Sequence, residues 1–596
     1  MNATQYKVKN ARLGLFARAF ALSTFSTLST LTIAEQASDK FEPEAASESI
    51  MSNEKYALAS EFMLVTAHPA ATKIGYDILK NGGNAVDAMV AVQVALGLVE
   101  PQSSGLGGGA FTLYWDATLS KLTSYDGRET APQQTDESLF LDENGQALGF
   151  FEAVVGGRSV GTPGTVKLLW EMHKQHGSVP WDRLLQPTRA LAEKGFEVGP
   201  RLSAALKRDR ERLKTDSEAF NYFFPNGQAV QPGVKLVNKD YAQTLILLMK
   251  QGGDYFYQEP FAQAIVDKVS NAANPGLLSL QDFKRYNIVE RAPVCNVFLR
   301  YEVCGMGPPS SGAYAVNQIL MQLSNTNFLE LAPESAQAWH YIHEMTRLAF
   351  ADRGVYLADP DFSDVPIGLL DKQYVRSRAQ LANPINKSKT LEAGKPPTMR
   401  TSYVPSESFE QTSTTHFVIV DKDGNIISST STIENGFGAR LMVHGFLLNN
   451  ELTDFSFKPA GKQGPIANRV EAGKRPRSSM APTLVMKENK PYLAIGSPGG
   501  SRIINYVANS LIRHLAWNTS LDQLFALPHQ SNRFGQLDFE ATQSGQVNEA
   551  LLRDLEKIGY TPNIKPLNSG LHAIRMTAGQ LEGAADPRRE GTVAGQ

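Results

Sequence analysis

Hydroxyl side chains crowd the segment Gln411-Thr412-Ser413-Thr414-Thr415-His416-Phe417-Val418-Ile419-Val420, which runs straight into Asp421-Lys422-Asp423-Gly424-Asn425. A threonine at the start of a strand can do one special piece of chemistry. If the chain is cut just before it, the new α-amino group lies beside the hydroxyl and can take its proton, giving a nucleophile that carries its own base. That cut would fall between Ser413 and Thr414. The Asp-Gly turn decides what faces the threonine across the hairpin. A two-residue turn sets Thr414 opposite Ile433. A three-residue loop, Lys422-Asp423-Gly424 with its glycine left-handed, shifts the register by one and sets Thr414 opposite Thr432. The second register is favoured, because Thr432 could then hydrogen-bond the nucleophile. Taken alone, the stretch reads as an ordinary hairpin of good strand formers.

The elements that must hold this threonine are legible as patterns. Pro69 to Lys80 and Asn84 to Val99 read as two helices split by Gly82-Gly83, with Asn84 as a cap and Asp87 in the first turn. The second is apolar on nearly every side and so belongs in an interior. After the glycine-rich Ser103-Ser104-Gly105-Leu106-Gly107-Gly108-Gly109 come strands at 110–115 and 121–125. Residues 165–290 and 334–357 read as mostly helical. Residues 380–412 show little periodicity and read as an exposed, flexible lead into the cut. Strands are expected at 416–420, 426–433, 446–449, 482–487 and 491–496, and helices at 501–516 and 547–558.

Further motifs stand along the chain in a fixed order: Asp126-Gly127-Arg128-Glu129-Thr130-Ala131-Pro132, Gly161-Thr162-Pro163-Gly164, Pro308-Pro309-Ser310-Ser311-Gly312, Thr414-Thr415-His416, Leu447-Leu448-Asn449-Asn450-Glu451, Asp454-Phe455-Ser456, Lys474 to Thr483, and Gly496-Ser497-Pro498-Gly499-Gly500-Ser501-Arg502. Together they resemble the gamma-glutamyltransferases (gamma-glutamyltranspeptidases), over nearly everything after about residue 55. The resemblance implies an α/β fold, a four-layer αββα sandwich of the N-terminal-nucleophile hydrolase type, built from both subunits of a self-cleaved precursor. The expected parts are a leader at 1–37, a large subunit at 38–413 and a small catalytic subunit at 414–596, which stay together. The implied reaction is acyl transfer from glutathione and other γ-glutamyl compounds, through an ester on Thr414, to water or to amino-acid or peptide acceptors.

Each step of that reaction assigns work. A tetrahedral oxyanion needs fixed donors; Gly499 and Gly500, where a strand turns into a helix, can offer backbone N–H groups. A phosphate loop is excluded there, because no Gly-Lys-Ser/Thr follows. The substrate α-carboxylate needs a cation and hydroxyls: Arg128 offers a two-pronged fork, and Ser478 and Ser479 add hydrogen bonds. Without the resemblance, Arg128 would read as a surface ion pair with Asp126 or Glu129. The α-ammonium needs acceptors, and Glu434, Glu451 and Asp454 are the candidates. Some members of the resembled family carry Asn and Gln where this chain has Glu434 and Glu451. The segment Lys458 to Gly473 is also shorter than a full lid loop and lacks tyrosine, so a more open cleft is expected. A related acylase acting on glutaryl side chains of β-lactam nuclei is the alternative chemistry, but its substrate has no ammonium for three acids to meet. A non-catalytic periplasmic binding homologue is the alternative of another class, and it predicts an uncut chain.

Other residues are set aside. His340, His343 and Glu344 share a helix in the wrong order for a zinc-protease motif. His416 is two strand residues, roughly 7 Å, from Thr414. Ser310-Ser311-Gly312 is not a nucleophile elbow. No metal or other cofactor is called for.

Bulk properties set the outer limits. A chain of 596 residues with net charge −2 carries no basic footprint for nucleic acid. Lys7, Lys9, Arg12 and Arg18 precede an Ala-, Leu-, Ser- and Thr-rich run to Ala34. That fits a secretory signal, or a basic leader without structure; the signal would place the protein in the periplasm or outside the cell. No later segment approaches the ~20 apolar residues of a membrane span. The two cysteines, Cys295 and Cys304, would face each other across a hairpin turning at Leu299-Arg300. They fit a disulfide or two buried thiols.

Overall fold

The computed structural model describes residues 53–406, 413–542 and 545–596. The expected leader at 1–37, and residues 407–412 of the lead into the cut, lie outside them.

Alternation of side chains builds the layers. One seven-stranded antiparallel sheet runs, in spatial order, Thr592–Gly595, Met63–Thr66, Thr414–Val420, Ile426–Thr432, Gly109–Asp116, Lys121–Gly127 and Val289–Arg291. The other runs Tyr56–Ala59, Gln580–Ala585, His572–Thr577, Lys490–Gly496, Thr483–Lys487, Tyr301–Gly305 and Val294–Phe298. Met63, Val65, Val418, Val420 and Ile426 of the first meet Leu484, Met486, Ala494 and Ile574 of the second, so the two sheets stack face to face. The alternate residues Leu64, Phe417, Ile419 and Ile427 point outward into a helical layer that includes Pro69–Lys80, Ala85–Val99, Thr165–His176 and Trp181–Lys194. On the far side, Val303, Val485, Leu493 and Ile495 pack on Gly312–Leu323, Ala336–Tyr356, Ile503–Leu511 and Glu549–Ile558. Each such buried aliphatic or aromatic side chain contributes about 1.5–3 kcal/mol. The architecture is the expected αββα sandwich, and each sheet takes strands from both sides of the Ser413–Thr414 bond.

The central hairpin has the three-residue loop. Val420 pairs with Ile426, and Thr414 with Thr432. Gly424 is left-handed at φ +83°. Asp421 locks the turn: its carboxylate accepts from the backbone of Asp423 (3.0 Å) and Asn425 (2.9 Å), and also from Ala85 N–H (2.9 Å) at the start of the buried helix. One acid thus fixes the register and ties the hairpin to that helix, whose 15 residues are all buried behind an Asn84–Asp87 capping box.

One local expectation changes in detail, and the cysteine hairpin is as expected. The strand expected at 446–449 is only Phe446–Leu447, paired with Met442–Val443. Leu448 N–H still bonds across to Leu441 O, and the chain leaves the pair at Asn449, whose N–H donates to Gly107 O. The cysteine hairpin turns at Leu299-Arg300, with Leu299 at φ +57°. Cys295 lies opposite Cys304 with a Cα separation of 4.0 Å, and the two form a disulfide on the edge strand of the second sheet.

Candidate active site

Thr414 begins its strand on the face between the two sheets, at one end of the stack, and is only 4% exposed. Its hydroxyl points at Thr432 Oγ1, 3.4 Å away. Thr432 Oγ1 in turn accepts from Glu434 N–H (2.9 Å) and donates to Ser413 O (2.7 Å). That acceptor is the carbonyl of the bond a self-cut would break. The Thr432 hydroxyl therefore links that carbonyl to the Thr414 hydroxyl. Arg589, 175 positions further on, donates to Thr414 O (2.9 Å) and fixes the other side of the residue.

The glycine run explains how the chain reaches this corner. A Cβ on Gly108 would sit 2.0 Å from Thr432 O, and one on Gly109 2.3 Å from Glu129 Oε2. No side chain could pass there. Opposite, the strand Lys490–Gly496 from the second sheet ends in Ser497-Pro498-Gly499-Gly500. Gly499 has φ +136° and lies against the Tyr506 ring, which a Cβ would meet at 2.6 Å. Gly500 opens the turn into the helix Ile503–Leu511 and lines the cleft; Gly499 stands just behind it.

The cleft has about 260 Å³ of empty space and brings together Arg128, Thr414, Thr432, Glu434, Glu451, Asp454, Ser478, Ser479 and Gly500, joined by Met480 and Ile503. Arg128 is fully buried, not a surface cation. Its two amino groups bond Glu451 Oε1 and Asp454 Oδ2 (2.5 Å for the latter). Its Nε and Nη2 also reach the carbonyls of Pro476 (3.2 Å) and Arg477 (3.0 Å). Burial opposes the guanidinium charge, but Glu451 and Asp454 outweigh it and hold Arg128 protonated. Glu451 and Asp454 bracket a single 3₁₀ turn, Glu451–Asp454, which presents both acids to one cation.

Glu434 adopts φ +74°, a left-handed backbone that a non-glycine residue holds only when its surroundings insist. Asn450 insists: its amide bonds the Glu434 carboxylate, and its carbonyl accepts from Asn435 N–H (2.9 Å). Ser479 Oγ accepts from Arg353 Nη2 (2.7 Å), and Ser478 Oγ accepts from Met480 N–H (3.1 Å), so both hydroxyls are oriented. The arrangement brings a threonine hydroxyl, a glycine turn, a cation and three carboxylates into one small cleft.

The residues set aside earlier stay outside it. His416 bonds Thr430 Oγ1 (2.8 Å) and stacks on His572. Burial, then His572, holds it well below the usual imidazole range. His340 bonds Tyr560 and Asn383 O, and His343 bonds Gln530. Three contributors escaped sequence reasoning. Arg589 and Arg353 gave no signal, because nothing near them in the chain concerns the site. Asn450 lay inside a quoted motif but received no role.

Two stacked antiparallel sheets with helices outside both are the fold of the N-terminal-nucleophile hydrolases. Within that class the chain belongs to the gamma-glutamyltranspeptidase family, whose profile matches residues 71–596. It is 36% identical over 546 residues to the glutathione hydrolase proenzyme of Bacillus subtilis (strain 168), covering 89% of this chain and 91% of that one. It is 33% identical over 554 residues to the acylase ACY 1 proenzyme of Pseudomonas sp. (strain SE83), covering 90% and 94%. Its fold matches the crystal structure of cephalosporin acylase from Bacillus halodurans with a TM-score of 0.81, over 92% of this chain and 98% of that one, at 24% identity.

Proposed function

We propose that the protein is an autoprocessing gamma-glutamyltransferase and glutathione hydrolase with Thr414 as its nucleophile. The observation that carries this reading is the cleft itself: Thr414 shares it with Arg128, Glu434, Glu451 and Asp454. Thr414 Oγ attacks the Ser413 carbonyl carbon, which Thr432 polarises. The peptide nitrogen leaves with a proton, and the resulting ester is hydrolysed. This gives a large subunit, 38–413, and a small one, 414–596. Each sheet pairs strands from both sides of the cut, which supports their staying together.

The freed Thr414 amine then takes the hydroxyl proton during attack on a γ-glutamyl amide. Backbone N–H groups of Gly499 and Gly500 receive the oxyanion. The donor's α-carboxylate sits on Arg128, Ser478 and Ser479, and its α-ammonium on Glu434, Glu451 and Asp454. Water releases glutamate; the amine of an amino acid or peptide instead forms a new γ-glutamyl amide. The basic leader and the Cys295–Cys304 disulfide support export to the periplasm or beyond, with residues 1–37 removed.

The acylase reading uses the same nucleophile on a glutaryl group, which lacks the ammonium. Assay of the processed protein on γ-glutamyl and glutaryl p-nitroanilides separates the two. We expect at least about tenfold higher kcat/KM for the γ-glutamyl compound, as the loss of one charge-assisted contact implies. Equal or reversed preference refutes it.

A further inference from the structure

Behind the cleft lies a carboxyl group that the reaction above leaves without a role. Glu129 follows Arg128, is fully buried and does not line the cleft. Apart from its own backbone N–H, no amide or hydroxyl serves its carboxyl oxygens, and Glu451 Oε2 has none either. Glu451 Oε1 is taken by Arg128. The Glu451 carboxyl comes within hydrogen-bonding reach of both the Glu129 and the Asp454 carboxyls, and Asp454 is already bonded to Arg128. Packing holds them there: Gly109 presses on Glu129 Oε2, and a Cβ on Gly161 would stand 2.9 Å from the Glu129 Cβ.

Two ionised carboxylates cannot face one another in a buried site without a donor between them. The other groups around Glu129 do not supply one. Tyr286 donates its hydroxyl proton to Arg128 O (2.8 Å), and Tyr257 donates to Pro163 O (2.9 Å). Arg128 places four of its five N–H donors on Glu451, Asp454 and two carbonyls, and none on Glu129. Arg475 and Asp126 lie beyond Tyr286. Burial first, and then the Glu451 charge, push Glu129 well above the usual carboxylate range, against the opposing pull of Arg128.

We propose that Glu129 is a positioning residue: it carries a proton at working pH and donates it to Glu451 Oε2, so that Glu451 turns Oε1 to Arg128. The proton also keeps one negative charge out of the pocket floor, where it would compete with the substrate α-carboxylate for Arg128. Loss of that proton at alkaline pH weakens donor binding. This rests on the γ-glutamyl reading above.

The test compares wild type, Glu129→Gln and Glu129→Ala on γ-glutamyl-p-nitroanilide across pH. The Gln amide keeps the donor but cannot lose a proton. Its KM at pH 7 should be within about threefold of wild type, and its alkaline rise in KM should begin at least about one pH unit later. Titration of the substrate amine is common to both enzymes and cancels. Glu129→Ala should raise KM about tenfold or more with kcat within about threefold. A Gln profile that superimposes on wild type overturns the proposal, as does an Ala variant that loses kcat alone. If Glu129→Ala fails to fold or process, the Gln comparison still decides.

If wild type does not turn over γ-glutamyl amides, the functional reading fails, and heat tests the proton separately. A carboxyl whose folded pKa is raised contributes stability that is complete below its unfolded pKa of about 4.3 and is lost as pH rises toward the folded value. Gln has no such loss. The unfolding midpoint of Glu129→Gln minus that of wild type should therefore grow between pH 5 and pH 8, by about 1 °C per pH unit. A flat difference means Glu129 is ionised in the native state and overturns the proposal.

Discussion

The proposed nucleophile and the charges proposed to select its substrate rest on different kinds of structure. Thr414 and Thr432 are register partners in the middle of a seven-stranded sheet, pinned by backbone pairing and by the Asp421 turn. Arg128, Glu434, Glu451, Asp454 and Ser478–Ser479 sit on loops, a 3₁₀ turn and one left-handed residue. The sheet gives the reacting atoms a position that nothing nearby can easily move. The loops gain rigidity another way, by burying a cation between two acids and clamping a third acid with Asn450. A fold can thus keep its nucleophile fixed while the charge pattern beside it is retuned.

The comparison predicts separable losses. Thr414→Ala should abolish processing, leaving one full-length band on a denaturing gel, and should lower turnover by at least about 10⁴-fold. Arg128→Lys keeps the charge but loses the fork, so kcat/KM for a γ-glutamyl anilide should fall about 10²-fold, mostly in KM. Self-cleavage in that variant should stay within about twofold of wild type, since none of the Arg128 side-chain hydrogen bonds goes to Ser413 or Thr414. If Arg128→Lys also stops processing, the two regions are not independent. Removing the cation outright should do more damage, because stranding Glu451 and Asp454 in the interior costs about 3–5 kcal/mol.

Thr432 belongs to the sheet but serves the cut. Thr432→Ala removes the donor to Ser413 O and should slow processing by about 10–10²-fold, with Thr432→Ser restoring most of the rate in a time-course gel. The smallest effect belongs to the far edge of the second sheet. Cys295→Ser with Cys304→Ser opens a short loop and should cost about 2–3 kcal/mol of stability at most. Processing and KM should not change, because the disulfide stiffens an edge hairpin remote from the cleft.

What could be read from the sequence divides along the same boundary. The Asp-Gly turn narrowed the partner of Thr414 to Ile433 or Thr432, because strand register depends on neighbours a few residues away, and the chemistry of a hydroxyl partner favoured Thr432, which the pairing bears out. The cysteine hairpin was readable for the same reason. Arg128 illustrates the limit. Its motif gave its partners as Asp126 or Glu129 on a surface, whereas its carboxylate partners are Glu451 and Asp454, over 320 positions away and fully enclosed. Asp126 instead pairs with Arg291 (2.8 Å) and Arg475 (3.4 Å). Only folding brings those segments together. Arg589 on the Thr414 carbonyl and Arg353 on Ser479 were invisible for that reason, and so was the burial of Glu129, which local sequence presents as one more acid beside an arginine.

The most direct test of the central claim is the first residue of the small fragment in purified, active protein, read by N-terminal sequencing or intact mass. The account predicts a chain that begins at Thr414, in equal amount with a large fragment ending at Ser413. Active protein with an uncut Ser413–Thr414 bond, or a small fragment that begins at any other residue, would contradict it.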